Sequence, residues 1–292
     1  MRTSDKIKIL FKSPVYLARK IFYGKPNVMS DEQTLDYICE NKCSVARFGD
    51  GELDLMCGAS IKFQRADKQL CRRLKEVALS NDARVLICVP DLFGSKKELN
   101  EKLIPAATKW WRKHMFVMSG NWYKFFRAQS ILGDTQISRF YVDVADKSRT
   151  ADYIMKLKKL WDGKNIVFVE GPNSRLGVGN DLFDNAMSIR RIICPPAHAF
   201  DIYEDILDKV KELTNSEDLI ICALGPTATV LSYDLALSNR RCLDLGHVDI
   251  EYEWYLRGVT RKIAIDGKEV YEAEDEISGN TEQADGIIYS FI

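Results

Sequence analysis

The chain alternates short apolar runs with helical stretches over most of its length, and this alternation limits the folds that it can adopt. The apolar runs lie at 44–48, 84–89, 165–169, 189–194, 219–224 and 241–245. Runs this short, bounded by turn residues, are typical of buried strands. Helices between successive strands produce right-handed crossovers and parallel pairing. We therefore predict an α/β fold built on a mostly parallel sheet.

Local patterns add four predictions. Residues 136–142 are predicted to form a further strand, and residues 181–187 a short helix. The run at 241–245 is predicted to be the last strand of the series. The segment 262–271 has the pattern of a hairpin that turns at Asp266-Gly267.

The composition argues against nucleic acid, a membrane span and a disulfide framework. The 292 residues carry 42 lysines and arginines against 42 aspartates and glutamates, so the formal net charge is zero and no global field attracts a polyanion. No apolar run approaches the ~20 residues of a spanning helix. The eight cysteines lack the Cys-x-x-Cys spacing of thiolate zinc sites. We expect a cytoplasmic protein that has reduced thiols and no nucleic-acid partner.

The first 29 residues form a basic segment in which lysines and arginines alternate with apolar residues. One interpretation is that residues 1–27 make peripheral contact with the anionic inner face of a membrane. The other is a helix packed on the domain with its lysines in solvent, and Pro14 interrupts the amphipathic pattern. We expect the main domain to span 30–257, and a hairpin and tail at 258–292 to pack on it.

A polar, glycine-containing cluster follows the first apolar run, at Arg47–Glu52. Asp50 and Glu52 flank a glycine at a strand-to-helix turn, so both carboxylates can reach one cation. Mg²⁺ and Mn²⁺ prefer oxygen ligands and often use one or two carboxylates together with substrate phosphates. Arg47 can bind a phosphate through its planar fork. The alternative is a helix N-terminus whose acids complement the helix dipole.

A second cluster follows the run at 165–169 and extends from Gly171 to Asp181. Its three glycines predict a flexible loop, and Ser174 and Arg175 offer a hydroxyl and a guanidinium. Loop amides that precede a helix can bind an anion. Neither a Walker loop nor the Gly-x-Gly-x-x-Gly dinucleotide motif is present. The alternative is structural, with Asn180 or Asp181 capping the next helix.

Two more clusters follow the last two apolar runs. In Gly225–Thr229, Thr227 and Thr229 could bond a phosphate or a ribose at a helix N-terminus, or the segment could be a plain capped turn. In His247–Glu251, an extended backbone would place His247, Asp249 and Glu251 on one face, as metal ligands or as a base. The alternative there is a polar edge strand. The aromatic residues at 252, 254 and 255 suit a sugar ring or a uracil.

Four motifs in this order resemble the GT-D-type glycosyltransferases, a bacterial family first described as a domain of unknown function. They are RFGDGE at 47–52, SRLGVGNDLF at 174–183, LGPTAT at 224–229 and DLGHVDIEYEW at 244–254. The resemblance covers about 30–254 and implies a Rossmann-like α/β fold with helices on both faces of the sheet. It also implies a nucleotide-sugar donor, commonly UDP-glucose, and a role in surface glycoprotein or cell-surface polysaccharide assembly.

The resemblance and the chemistry of the clusters together assign roles to individual residues. A divalent metal, Mn²⁺ or Mg²⁺, is expected near an Asp-x-Glu motif that falls on Asp50 and Glu52. An acceptor hydroxyl on a glycan or glycoprotein needs a base, for which Asp249 and Glu251 are candidates. The residues expected to bind the UDP-sugar donor are Arg47, Gly49, Asp50, Ser174, Arg175, Asn180, Gly225, Thr227, Thr229 and His247.

Two other functions remain open on the sequence. A metal-dependent phosphoesterase would also use carboxylates, His and Arg, but the chain has only three histidines, few for a two-metal site. A non-catalytic, nucleotide-binding subunit of a polysaccharide-assembly complex would bind ligand without turnover.

Overall fold

Eight parallel strands form a single sheet in the computed structural model, which describes residues 14–126, 131–270, 273 and 284–292. The order across the sheet is β3-β2-β1-β7-β6-β4-β5-β8. The strands are β1 (Ser44–Arg47), β2 (Val85–Val89), β3 (Gly133–Asp134), β4 (Asn165–Glu170), β5 (Ser188–Ile193), β6 (Leu219–Ala223), β7 (Arg241–Asp244) and β8 (Ile287–Ser290).

Helices connect the strands and cover both faces of the sheet. They are α1 (14–23), α2 (Asp31–Asn41), α3 (Asp50–Met56), α4 (Lys68–Ala78), α5 (Lys96–Lys102), α6 (Pro105–Phe126), α7 (Thr150–Lys158), α8 (Tyr203–Leu213), α9 (Pro226–Leu237) and α10 (Val248–Leu256). The predicted α/β architecture with a Rossmann-like, parallel sheet is confirmed.

The sheet separates two apolar cores, because successive strand residues point to opposite faces. In β4, Val167 and Val169 face one core, which helices α3, α4, α6, α8 and α9 complete. Ile166 and Phe168 face the other, under α2, α7 and α10. Strands buried on both sides read as continuous apolar runs, and this is why the sequence revealed them.

Three local predictions were wrong. Residues 136–142 form no strand, because Asp134 accepts a hydrogen bond from the amide of Gln136 and turns the chain into a 3₁₀ helix, Thr135–Ser138. Residues 181–187 form turns instead of a helix. The strand at 241–245 is not the last, because β8 pairs with β5. Of the predicted hairpin, an isolated antiparallel bridge between Ile265 and Lys268 is present, and residues 271–272 lie outside the described part.

The described part of the basic N-terminal segment packs on α6. Tyr16 makes an edge-to-face contact with Phe116, and Arg19 donates a hydrogen bond to Ser119. The opposite side leaves Ile21 and Phe22 86% and 82% exposed. Residues 1–13 lie outside the described part, and none of the helices within it has the length and apolarity needed to cross a bilayer.

The chain order creates two crevices at the carboxyl ends of the strands. From β1 the chain moves outward to β2, whereas its neighbour β7 is reached from β6 on the other side. From β4 it moves outward to β5, whereas the neighbouring β6 leads back to β7. In open parallel sheets, ligands bind where neighbouring connections diverge in this way.

Phe168 tests the core between the sheet and α7. Its fully buried ring contacts Phe183 edge-to-face, so Phe168→Ala should lower the free energy of unfolding by about 3–5 kcal/mol through lost contacts and a cavity. Ile288→Ala, on the edge strand and 39% exposed, is the control and should cost about 1 kcal/mol or less. Equal losses in urea unfolding would contradict this view of the core.

Candidate active site

A cleft of about 690 Å³ lies at the carboxyl ends of the strands and spans both crevices. Seven of the eight strands contribute a lining residue just beyond their ends. These residues are Gly49 after β1, Pro90 after β2, Thr135 after β3, Gly171 after β4, Pro195 after β5, Leu224 after β6 and Gly246 after β7. The polar clusters of the sequence therefore meet in one place, as parallel strand ends require.

The ion pair between Arg47 and Asp244 forms the floor of the cleft between β1 and β7. The guanidinium donates to the Asp244 carboxylate, with Nη2 to Oδ1 at 2.9 Å, and to the Asp244 carbonyl, with Nε to O at 2.6 Å. Its third nitrogen donates to the hydroxyl of Ser138. Arg47 lines the cleft, but its fork is already engaged in joining the two strands.

Asp50 and Glu52 line the cleft from the first turn of α3. Glu52 Oε2 accepts a hydrogen bond of 2.7 Å from the amide of Gly49, which closes the start of the helix. Burial, together with the Asp244 and Asp50 carboxylates, raises the pKa of Glu52 to about 7. A cation beside these carboxylates would offset the cost of placing them together.

The start of α3 could supply some, but not all, of the ligands of a hard divalent cation. Asp50 and Glu52 supply carboxylate oxygens of the kind that Mg²⁺ and Mn²⁺ prefer. Within the described residues, no group of three or more His, Cys, Asp or Glu side chains could hold a metal. The site therefore fits the mode in which one or two carboxylates share the ion with substrate phosphates and water.

The N-terminus of α9 opens onto the cleft at Gly225. This glycine has a φ of +52°, and a Cβ atom there would lie 2.4 Å from the ring of Phe63. The segment that carries Phe63 is tied down by His198, whose amide donates to the Phe63 carbonyl and whose Nδ1 accepts from the Arg65 amide. The positive end of a long helix and an aromatic ring thus lie together on one wall.

Thr227 and Thr229 do not line the cleft. Thr229 is fully buried and its hydroxyl donates to the Arg47 carbonyl at 2.9 Å, so it anchors α9 to β1. Thr227 is also fully buried. The prediction that both hydroxyls contact the donor does not fit this geometry, because both residues are buried outside the cleft lining and Thr229 bonds to β1.

Two buried carboxylates hold the glycine loop after β4. Glu170 accepts from the amide of Leu176 at 2.9 Å, and Asp249 accepts from the amide of Gly177 at 2.8 Å and from the side chain of Asn180 at 2.9 Å. Asn180 is therefore part of this support and does not line the cleft. Buried carboxylates therefore support this loop, which its glycines predicted to be flexible.

Ser174 lines the cleft from this loop, whereas the neighbouring Arg175 does not. Arg175 has a φ of +46°, and its guanidinium donates to the carbonyl of Gly267 at 3.1 Å. The amide of Glu269 donates to the carbonyl of Asn173 at 2.8 Å. The turn at 265–269 and the loop are thus bonded to each other, and Arg175 is turned away from the position expected of a phosphate ligand.

The predicted bases Asp249 and Glu251 lie in α10, which begins at Val248, so the extended segment assumed in the sequence analysis is absent. Asp249 is fully buried and pairs with Lys268 Nζ at 2.6 Å. Glu251 is fully buried and accepts from the amides of Tyr141 and Val142, both at 2.9 Å. Neither lines the cleft, and the geometry favours structural roles for both.

His247 lies at the N-cap of α10 and lines the cleft. Its Nε2 lies 2.7 Å from a guanidinium nitrogen of Arg139, which also lines the cleft. Of the predicted site residues, the cleft is lined by Arg47, Gly49, Asp50, Glu52, Ser174, Gly225 and His247, and not by Arg175, Asn180, Thr227, Thr229, Asp249 or Glu251.

Several lining residues were missed from the sequence. Asp244 had the signal of a carboxylate at a strand end, but Phe63, Trp110 and Trp111 lie outside every glycine cluster. His198 also lines the cleft, with a φ of +56°.

Comparison with known proteins gives a consistent result. The family model for the glycosyltransferase GT-D fold matches residues 45–273. The chain is 42% identical over 264 residues to the "Probable glycosyl transferase Gly" of Streptococcus gordonii, and 38% identical over 246 residues to the "Glycosyltransferase GlyD" of Streptococcus pneumoniae serotype 4. These matches cover 90% and 82% of this chain but only 38% and 29% of those longer relatives.

Two solved structures cover nearly the same residues. One, described as a domain of unknown function 1792 with a distinct glycosyltransferase fold, is 37% identical with a TM-score of 0.87, over 94% of this chain and 99% of that one. The other, a new glycosyltransferase from Streptococcus sanguinis, is 41% identical with a TM-score of 0.84, over 92% of this chain and 100% of that one.

Lys268 tests the support beneath the glycine loop. Lys268→Met leaves the buried Asp249 carboxylate without its cation, so the free energy of unfolding should fall by about 3–5 kcal/mol. The added change Asp249→Asn removes the stranded charge and should recover part of that loss. Lys209→Met, which breaks the more exposed pair with Glu212, should change it by about 1 kcal/mol or less. Similar losses for both single variants in urea unfolding would contradict this role.

Proposed function

The chain belongs to the GT-D glycosyltransferase family, and from that premise we propose that it transfers a hexose, such as glucose, from a UDP-sugar to a glycan or glycoprotein. In this reaction the bond between the anomeric carbon and the β-phosphate oxygen breaks. A bond forms between that carbon and an acceptor hydroxyl oxygen, and UDP and a proton leave. We assign the reaction to cell-surface glycan assembly.

The observation that carries the UDP-sugar assignment is the meeting of three features in one cleft. Asp50 and Glu52 present carboxylates, Gly225 presents the N-terminus of α9, and Ser174 presents a hydroxyl from a fixed loop. A diphosphate is the leaving group that uses all three, because it needs a cation and positive backbone dipoles as its charge develops. The flat ring of Phe63 beside Gly225 suits a uracil.

We assign Asp50 and Glu52 to hold a divalent cation, Mn²⁺ or Mg²⁺. When bound, such an ion neutralises charge on the departing diphosphate. Among the chain's own residues, Gly49 fixes the orientation of Glu52 through its amide. The Arg47–Asp244 pair holds β1 and β7 in register beneath both carboxylates. In this proposal His247 and Arg139 approach the donor from the opposite wall.

Hydrolysis of phosphoesters is less well supported. A two-metal phosphoesterase needs a dense ligand set, and no cluster of three candidate ligands occurs in the described part of the chain. A non-catalytic, nucleotide-binding role in a polysaccharide-assembly complex predicts binding without turnover, so the turnover experiment below distinguishes it.

Asp50→Asn and Glu52→Gln test the metal assignment. Each should lower the rate of UDP release from UDP-glucose with Mn²⁺ by about 100-fold or more, because charge stabilisation in the transition state is lost. Each should also abolish the rise in melting temperature that Mn²⁺ and UDP together give the unmodified protein.

Asp36→Asn is the matched control, since Asp36 lies on α2 and pairs with Lys156 at 2.7 Å, outside the cleft. It should retain full turnover and the full thermal shift. Unchanged turnover in both Asp50→Asn and Glu52→Gln would refute the metal assignment. Absence of any shift with UDP or UDP-sugars would refute the donor.

We also propose cytoplasmic peripheral contact with an anionic membrane through residues 1–27. The support is the exposed pair Ile21 and Phe22 on α1, next to Arg19 and Lys20.

The double change Ile21→Ser and Phe22→Ser should lower co-sedimentation with phosphatidylglycerol vesicles at least several-fold, because buried apolar area and basic charge act together at the interface. Met187→Ser, which alters a side chain 71% exposed elsewhere, should leave it unchanged. Equal binding by the double variant would refute the contact.

A further inference from the structure

Trp110 is unusual among the tryptophans because the residue is 48% exposed while it lines the cleft. Trp122, Trp161 and Trp254 are fully buried. Trp111, next along α6, lines the same wall. Exposed apolar surface inside a groove is typical of a ligand-binding site.

Other side chains of α6 support the Trp110 ring. It stacks on the imidazole of His114, with ring centroids 5.4 Å apart and planes 12° from parallel. His114 Nε2 accepts a hydrogen bond of 3.0 Å from the buried indole of Trp122. Trp111 contacts Trp110 edge-to-face at 4.6 Å. One face of Trp110 is therefore covered by His114, and neighbouring rings hold its position before any ligand binds.

Polar groups that could bind hydroxyls line the cleft near the start of α6. The amide of Ile104, just before the helix, donates to the Asp143 carbonyl at 2.9 Å. Trp110 is five residues beyond Pro105, or about 7.5 Å along the helix. The side chain of Asp143 pairs with Lys262 at 2.9 Å, and both line the cleft.

Gln136 adds an acceptor that the fold leaves unused. Its side chain lines the cleft, and its Oε1 is buried without a hydrogen-bond partner. Buried polar atoms without partners are rare in folded proteins. A hydroxyl group of a ligand would satisfy this oxygen.

The platform lies in the same cleft as the carboxylates Asp50 and Glu52, and near the first of them. The Asp50 carboxylate is close enough to act on the pKa of His114, which burial lowers. Phe63 lies beside Gly225, which follows β6. A ligand on Trp110 would thus lie near Asp50 and contact a different ring from the one assigned to the uracil.

We propose that Trp110, supported by Trp111 and His114, is the platform on which the acceptor's sugar ring stacks, with Gln136 and Asp143 bonding its hydroxyls. This inference rests on the proposed function, because it presumes a carbohydrate acceptor. Aromatic faces pack well against the C–H face of a sugar. Of the three aromatic residues predicted to suit a sugar ring or a uracil, Tyr252 and Tyr255 do not line the cleft, and Trp254 lines it but is fully buried.

The test uses the full-length protein with UDP and Mn²⁺ present, and a panel of methyl glucosides, galactosides and N-acetylglucosaminides. Ligand-detected NMR titration gives the affinity for each sugar, and calorimetry gives the affinity for UDP. Trp110→Ala should weaken sugar binding about tenfold, since the ring contributes most of the stacking area. Trp110→Phe should retain most of it, and Phe22→Ala, an exposed aromatic outside the cleft, should change nothing.

The outcomes separate this proposal from the donor assignment. UDP affinity that stays constant while Trp110→Ala loses sugar binding supports the acceptor platform. Sugar binding equal to that of the unmodified protein in Trp110→Ala, or no binding of any sugar in the panel, overturns it. A tenfold loss of UDP affinity in Trp110→Ala also overturns it, because the ring would then bind the nucleoside. Failure of UDP to bind at all, with Trp110-dependent sugar binding intact, refutes the donor and leaves the platform standing.

Discussion

The ion pair between Arg47 and Asp244 is the interaction on which the cleft depends. It joins β1 to β7, two strands that are nearly 200 residues apart in sequence and meet only at the point where the chain directions diverge. The same guanidinium holds Ser138, and the Arg47 carbonyl accepts the hydroxyl of Thr229 on α9. One buried pair therefore fixes two strands, a 3₁₀ turn and a helix around the crevice. Burying a charge this completely is tolerable because Asp244 pairs with it and each of the three guanidinium nitrogens donates a hydrogen bond.

A second buried network, of hydrogen bonds and an ion pair, supports the wall of the cleft. Asp249 joins α10 to the glycine loop, and Lys268 joins both to the turn at 265–269. The buried charges of Asp249 and Lys268 thus support the loop that carries Ser174. A binding surface held in this way needs little reorganisation when a charged ligand arrives. Asp249, a predicted catalytic base, thus supports this loop, whereas the other predicted base, Glu251, holds residues 141–142.

The sequence predicted the elements well where burial leaves a pattern. Six strands were predicted from apolar runs, because both of their faces are covered. The motif at Arg47–Glu52 was found because the composition changes where a strand ends and a helix begins. The predictions failed where one sequence pattern is compatible with more than one structure. The segment His247–Glu251 alternates as a strand would, yet it begins a helix that is buried all round, and such a helix shows no periodicity. Arg175 and Thr229 have the chemistry of phosphate ligands, but only their backbone geometry decides where they point.

The sequence by itself determined the parallel α/β sheet and the placing of polar clusters at its carboxyl ends, because strand burial and crossover handedness follow from local composition. It also fixed the carboxylates Asp50 and Glu52 at one such end. Only the tertiary structure decided which clusters face the cleft and which face inward. That choice depends on contacts between segments far apart in sequence, such as Asp249 with Lys268 and Trp110 with His114. Long-range packing, and not local pattern, therefore decided which polar residues line the cleft and which support it.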